Sequence, residues 1–253
     1  MILSKNKILE EYNNNKIIYK SDKNKIEDYA KNQSVDIHLG DWMYVEFINY
    51  GHLWEFMQMN FGWQIKAPRV GKFTVLQLPS TQNRYSSQYH NNNIDNEIEV
   101  LENILLSMER SDVLPTLELD ESNLAFWLPP RNWKIPHNTF VLAHTEEYIG
   151  TSSNSNIHPE FHQRSTTARM GLSHTKAGWG DNGFCNRWAL ELYTLKDVTI
   201  TAGMKIGQIS FAYTTDSEVG YSEQTGNYQS SNNIDEIIKN WKKEDILPKE
   251  GNV

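Results

Sequence analysis

Apolar and polar positions alternate along most of this chain, and helical spacing interrupts the alternation in three places. Residues 1–15 put Ile8, Leu9 and Tyr12 on one side, which predicts a short amphipathic helix. Ser34-Val35-Asp36-Ile37-His38-Leu39-Gly40 alternates with period two and predicts a strand. Residues 42–90 are rich in aromatic and β-branched residues, broken at Gly62, Pro68, Gly71 and Pro79, and predict strands and loops. Between 94 and 109, Ile94, Ile98, Leu101, Leu105 and Met108 fall at helical spacing. Strand texture returns after Pro115, with candidates at Thr139 to His144, Ala189 to Tyr193, Val198 to Thr201 and Ile206 to Tyr213. Thr214 to Asn233 is polar, and Ile234, Ile237, Ile238 and Trp241 then line one face of a closing helix. The pattern predicts a single mainly-β domain over 1–253. It has helices at both ends, one inside a central insertion, and a polar tail from Thr214.

Composition narrows the function classes. The chain has 253 residues and a formal net charge of −8, which argues against a general nucleic-acid partner and leaves room for a nucleotide ligand. One cysteine, Cys185, cannot form an internal disulfide and suits a reducing compartment. The opening MILSKNKILEEYNNNK lacks the apolar core of a signal peptide, and no apolar run has the length of a membrane span. The expectation is a cytoplasmic protein with no membrane partner. Neither a Walker loop nor a dinucleotide fingerprint occurs.

The richest chemistry lies between Gln163 and Leu192. Trp188, Leu190 and Leu192 share one face of the predicted strand, and Ala189, Glu191 and Tyr193 share the other. A carboxylate there is either a solvated surface charge or a general acid/base whose pKa rises on partial burial. Arg164 and Arg169 flank Ser165, Thr166 and Thr167, which reads as a helix start with good capping residues or as a phosphate cradle. Asp181, between Gly180 and Asn182-Gly183, sits on a strong turn signal. His158-Pro159-Glu160 matches half of the zinc deaminase signature. Its Pro-Cys-x-x-Cys half cannot exist with one cysteine, so no catalytic zinc is expected.

Taken together, these segments resemble the dCTP deaminases. Arg164-Ser165-Thr166-Thr167-Ala168-Arg169-Met170-Gly171-Leu172 is similar to that family's Arg-Ser-Ser-x-Ala-Arg-x-Gly-Leu motif. Ala177-Gly178-Trp179-Gly180-Asp181-Asn182-Gly183-Phe184 resembles its Ala-Gly-Trp-Ile-Asp-Pro-Gly-Phe turn. Leu190-Glu191-Leu192 follows at the spacing of its catalytic strand, and Gly203 to Gln208 resembles its late strand. The likeness extends to Met1 to Ser4, Ser34 to Gly40 and Phe140 to Thr145, and omits roughly 45–130. It implies a dUTPase-like distorted β-barrel or jelly roll, in a homotrimer with active sites shared between subunits.

The resemblance also implies roles. Glu191 would activate water against cytosine C4 without a catalytic metal, and Mg2+ would ride on the substrate triphosphate. Ser165 and the Ala177 backbone would position that water and the leaving ammonia, and Arg169 would hold Glu191. Arg164, Ser165 and Thr166 would cradle phosphates, with Thr167 and Ala168 also among the substrate-binding residues. Asp181 would bind the 3′-hydroxyl and Phe184 would pack on the deoxyribose. Ala189 and Leu190 would meet the base through the backbone, with Gln208 beside the nucleotide. Tyr221, Asn227 and Tyr228 would belong to the C-terminal closure.

Two positions in that closure differ from the family, Asn227 for Lys and Ser231 for Gln. A triphosphate could then draw on Lys239, Lys242, Arg69 or Arg84, or the ligand could be a monophosphate. The rival functions are dUTP hydrolysis, alone or after deamination, through Asp181, and a nucleotide-binding relative that kept only the fold.

Overall fold

The computed structural model describes residues 1–47, 52, 55, 56, 59, 60, 132–215, 221, 228, 229 and 231–248, and the backbone of strands at 64–69, 72–77 and 124–128. Helix α1 spans Lys5–Asn13 and α2 Ile26–Tyr29. The strands are β1 Ile17–Lys20, β2 Ser34–Phe47, β3 Gln64–Arg69, β4 Lys72–Gln77, β5 Leu124–Leu128, β6 Trp133–Ile135, β7 Phe140–Thr145, β8 Tyr148–Thr151 and β9 Ile157–Gln163. Then follow α3 Ser165–Arg169, β10 Leu172–His174, β11 Cys185–Asn186, β12 Ala189–Thr194, β13 Val198–Ile200, β14 Lys205–Tyr213, α4 Ile234–Asn240 and a 3-10 turn, Lys243–Ile246.

The main sheet runs β10-β12-β7-β2-β14-β9, with β5 also paired to β2. Strand β2 carries the sheet around. Its first half pairs with β14, its second half with β7 and β5, and its register slips between Leu39 and Met43. Such a bulge bends a strand and increases its twist, which rolls a sheet toward closure. Gly40 lies in the bulge. A Cβ there would fall 2.0 Å from the His144 ring, so only glycine lets that imidazole seat. Smaller sheets, β1-β8-β11 and β13-β6, complete the body, and β3-β4 forms a separate hairpin. The core collects Val35, Ile37, Leu39, Val45, Val141, Leu190, Leu192, Ile206, Ile209 and Phe211. The expected mainly-β, barrel-like domain is what forms.

Alternation in Ser34 to Gly40 implies one solvated face, yet β2 is buried on both faces through Gly40. Its polar residues are neutralised by partners. Asp36 sits 3.1 Å from Arg164 Nη1 and 3.2 Å from Lys205 Nζ. His38 bonds Glu147 through Nδ1 at 2.5 Å, and its backbone N–H donates to the other oxygen of that carboxylate. Glu147 is wholly buried, so the pairing removes what would be a prohibitive desolvation.

Most predicted boundaries hold to within a residue or two. The closing helix keeps Ile237 buried, while Ile238 is 38% exposed, so its apolar face is narrower than its sequence suggests. The helix expected at 94–109 lies outside the described residues. No helix among the described residues is long and apolar enough to cross a membrane.

Candidate active site

Strand β12 is positioned from both sides. Its Glu191 pairs with Leu142 and its Ala189 with His144 of β7. Trp188, Leu190 and Leu192 point into the core, which leaves Ala189 and Glu191 on the opposite face, as the alternation required. The entry to β12 is fixed by Thr145, fully buried. Its Oγ1 accepts the Trp188 N–H at 2.9 Å and donates to the Glu147 carbonyl at 2.8 Å.

In front of this face lies a cavity of about 340 Å³. Seven of the residues expected at the site line it: Ala177, Asp181, Phe184, Ala189, Glu191, Tyr221 and Tyr228. Leu190 does not line it; its side chain is wholly buried in the core.

The turn that carries Asp181 is built by three constraints. Gly183 has φ +82°, a conformation open to glycine at little cost, and Phe184 N–H closes the turn on the Asp181 carbonyl. A Cβ on Gly180 would fall 2.6 Å from the Trp188 indole, so the turn lies directly against the strand entry. His158 of β9 donates its Nδ1 proton to the Gly180 carbonyl at 2.6 Å and stacks on Trp179. The indole N–H of Trp179 in turn donates to Asp181 Oδ1 at 3.1 Å. His158, considered in the sequence only for zinc, is here a support for the turn. It shares strand β9, rather than a helix, with His162, which contacts Ser210.

Glu191 is the electrostatic focus. Burial raises its pKa above the usual carboxylate range, and Oε2 is buried without a hydrogen-bond partner. Its nearest titratable neighbour is His174, with Nε2 at 3.6 Å from Oε2. Burial holds His174 neutral, down to about 4. The Lys176 backbone N–H donates to His174 Nδ1, so the neutral ring carries its proton on Nε2, facing Glu191. Lys176 adopts φ +72° to make that bond, a strained conformation for a β-carbon residue. A protonatable carboxylate facing a neutral N–H donor can accept a proton from water and return it. His174 carried no signal in the sequence beyond its place three residues before Ala177.

The tail is pinned over the same turn. Gln229 is buried, accepts the Cys185 N–H at 2.7 Å and donates to the Gly183 carbonyl at 2.9 Å. Asn186 Nδ2 donates to the Tyr228 carbonyl. Sequence reasoning singled out Tyr228 and passed over Gln229. Beyond it, Trp241, Asp245, Ile246 and Pro248 add a further wall to the cavity. Asn227 falls outside the described residues.

The remaining expected residues stand apart from the cavity. On α3, Ser165, Thr166, Ala168 and Arg169 are exposed, and Arg169 forms no ion pair among the described residues. The helix cap is Arg164, not a hydroxyl residue; Thr167 Oγ1 instead turns inward to the Arg164 and Ile206 carbonyls. Arg164 is engaged by Asp36. Gln208 lies in a second, open cavity with Ser34, His162 and Ser210. Within one chain neither the α3 residues nor Gln208 line the Glu191 cavity. Away from both, Glu55, His137 and Asp197 bring ligand-type atoms within 4.8 Å of one another at the surface.

Fold and cavity together define the class: a barrel-like β protein with a partly buried carboxylate facing a cavity. Comparison with known proteins specifies it further. A family profile described as dCTP deaminase-like matches residues 91–214. A relative named "dCTP deaminase, dUMP-forming" from Clostridium botulinum (strain Eklund 17B / Type B) is 30% identical over 166 residues, 65% of this chain and 87% of the relative. One of the same name from Cytophaga hutchinsonii is 28% identical over 174 residues, 68% and 91%. A crystal structure of 2′-deoxycytidine 5′-triphosphate deaminase from Agrobacterium tumefaciens aligns with a TM-score of 0.46 at 13% identity, over 84% of this chain and 48% of that one, so this chain spans about half its length. The chain belongs to the dCTP deaminase family.

Proposed function

We propose that this protein hydrolyses the exocyclic amino group of dCTP, releasing ammonia and dUTP, with Glu191 as the general acid/base. The observation that carries the reading is the half-buried Glu191 carboxylate, its pKa raised by burial, facing the protonated Nε2 of a neutral His174 inside a nucleoside-sized cavity. Glu191 takes a proton from water as the oxygen adds to C4. It delivers that proton to N3, then carries the proton of the new C4 hydroxyl to the amino nitrogen, so that C4=O forms as the C4–N bond breaks and ammonia leaves. General acid–base catalysis of this kind contributes about 10²–10⁴-fold. The Asp181 carboxylate, steadied by Trp179, holds the 3′-hydroxyl, and Phe184 packs on the sugar.

The outer phosphates are bound outside this cavity. Its described lining carries Asp181, Glu191 and Asp245 against Arg187, a poor environment for a polyanion. The exposed Ser165, Thr166 and Arg169 of α3 are the complementary group, and a second copy of the chain supplies them. This reading makes the active unit a homotrimer with shared sites, acting on a Mg2+–nucleotide substrate. Sedimentation with and without Arg169→Ala, beside complementation of that variant by Glu191→Gln, tests the sharing. Restored activity in mixed oligomers supports it, and no restoration counts against it.

A second reading has support of its own, because the relatives are named dUMP-forming. Asp181 then also serves a water directed at the α-phosphate. Following ammonia and pyrophosphate separately from dCTP and dUTP decides between the two.

A further inference from the structure

We propose that Arg187 is a ligand-binding residue of the Glu191 cavity, held by Tyr148 and Trp241 to receive an acceptor oxygen of the bound pyrimidine nucleotide. The inference rests on reading this cavity as a nucleotide site. Among the described residues that line the cavity, Arg187 is the one cation. Its guanidinium carbon lies 4.9 Å from the Tyr148 ring centre and 4.5 Å from that of Trp241. Two aromatic faces fix a planar cation while using none of its N–H donors.

Among the described residues, none accepts a hydrogen bond from those donors. The nearest carboxylate, Asp41, stands 4.0 Å from Nη1, beyond hydrogen-bonding distance. Nε is buried without a partner. The side chain is only 19% exposed, so it is largely withdrawn from bulk water. A desolvated guanidinium, held rigid and left with free donors, is a site awaiting an oxygen. The neighbouring His144 does not compete for that role. Burial first, and the Arg187 charge second, bring its pKa down to about 4, so the ring stays neutral. Its Nδ1 proton is committed to the Thr145 carbonyl.

The wall behind Arg187 is docked. The Trp241 ring lies 4.9 Å from that of His144, and Ile246, five residues on, is buried. Between them Asp245 accepts the Lys242 N–H, and Lys243 Nζ lies 3.2 Å from the centre of the Trp42 ring. The segment from Trp241 to Pro248 thus fixes Arg187 from one side and roofs the cavity from the other. Arg187 lies two positions before Ala189 and four before Glu191, so it reads a part of the ligand away from the reacting carbon. A pyrimidine nucleotide offers two such acceptors, the 2-oxo group of the base and a phosphate.

Calorimetric titration of the full chain with deoxycytidine, dCMP and dCTP tests the proposal, in wild type, Arg187→Met and Arg187→Lys. Thermal unfolding without ligand is measured alongside. Methionine fills the slot between the rings and has no donor. Lysine keeps the charge and loses the planar fork, and it carries the comparison if the methionine variant does not fold. The expected result is weaker binding, by about 10- to 100-fold for methionine and less for lysine. Equal weakening for all three ligands assigns the oxygen to the nucleoside, and weakening that grows with phosphate assigns it to phosphate. Unchanged affinity in both folded variants overturns the proposal. If wild type binds none of the three, the nucleotide reading itself fails, whatever the variants do.

Discussion

Replacing Thr145 by valine isolates the contact that sets the catalytic strand. The side chain is fully buried, and the exchange keeps its shape while removing one hydroxyl. That hydroxyl satisfies two backbone groups, the Trp188 N–H at 2.9 Å and the Glu147 carbonyl at 2.8 Å. Each buried group left without its partner costs about 1–3 kcal/mol. The added methyl returns somewhat under 1 kcal/mol. The net loss is roughly 1–5 kcal/mol, which for a chain of this size lowers Tm by about 2–20 °C. Trp188 leads directly into Ala189 and Glu191, so the same change displaces the carboxylate; a shift near 1 Å costs on the order of 100-fold in rate. Urea unfolding at constant m-value, with kcat/KM for dCTP on the folded fraction, measures both effects, and Thr145→Ser is the control that retains them. A loss below about 0.5 kcal/mol with full activity refutes the reasoning, since the orphaned groups would then have found other partners.

Glu191→Gln should raise stability at neutral pH. The folded pKa of Glu191 is raised, so its contribution is fully present below the ordinary carboxylate range and is lost as pH rises through the folded value. The variant's Tm advantage should therefore be larger at pH 8 than at pH 4.5, and an advantage that shrinks with rising pH contradicts the assignment. The acid limb of the rate profile should lie above the usual carboxylate range and report Glu191, since His174 titrates only at about 4. His174→Asn should lower kcat and leave this limb in place rather than abolish it. Gln229→Met removes the two bonds that pin the tail to the Gly183–Cys185 turn, and should raise KM more than it lowers kcat. Limited proteolysis in the tail should quicken, and unchanged KM and cleavage would show that the pin is dispensable.

The strand face of Glu191 was legible because β12 alternates cleanly, one residue in and one out, and the Asp181 turn because Gly180, Asn182 and Gly183 announce it. Local signals of this kind survive folding. The strand at β2 was legible but its burial was not, because Asp36 and His38 are buried by distant partners, Arg164, Lys205 and Glu147, that no local pattern connects to them. His174 and Gln229 were missed for a related reason. Each acts through a backbone group brought close only by the fold, the Lys176 amide for one and the Gly183–Cys185 turn for the other. The hydroxyls of α3 were legible as a group, but not that Thr167 would turn inward while Ser165 and Thr166 stayed exposed. Arg187 gave no sequence signal at all, since its significance comes from aromatic rings at 148 and 241.

The central claim is that Glu191 deaminates a deoxycytidine nucleotide. The most direct test is ammonia release from Mg2+–dCTP by wild type and Glu191→Gln, with CTP and dCMP in parallel. The account predicts turnover of dCTP by wild type, rejection of CTP, and a loss of about 10²–10⁴-fold or more in the variant while the fold persists. Equal ammonia release by both proteins, or none from any nucleotide by wild type, contradicts it.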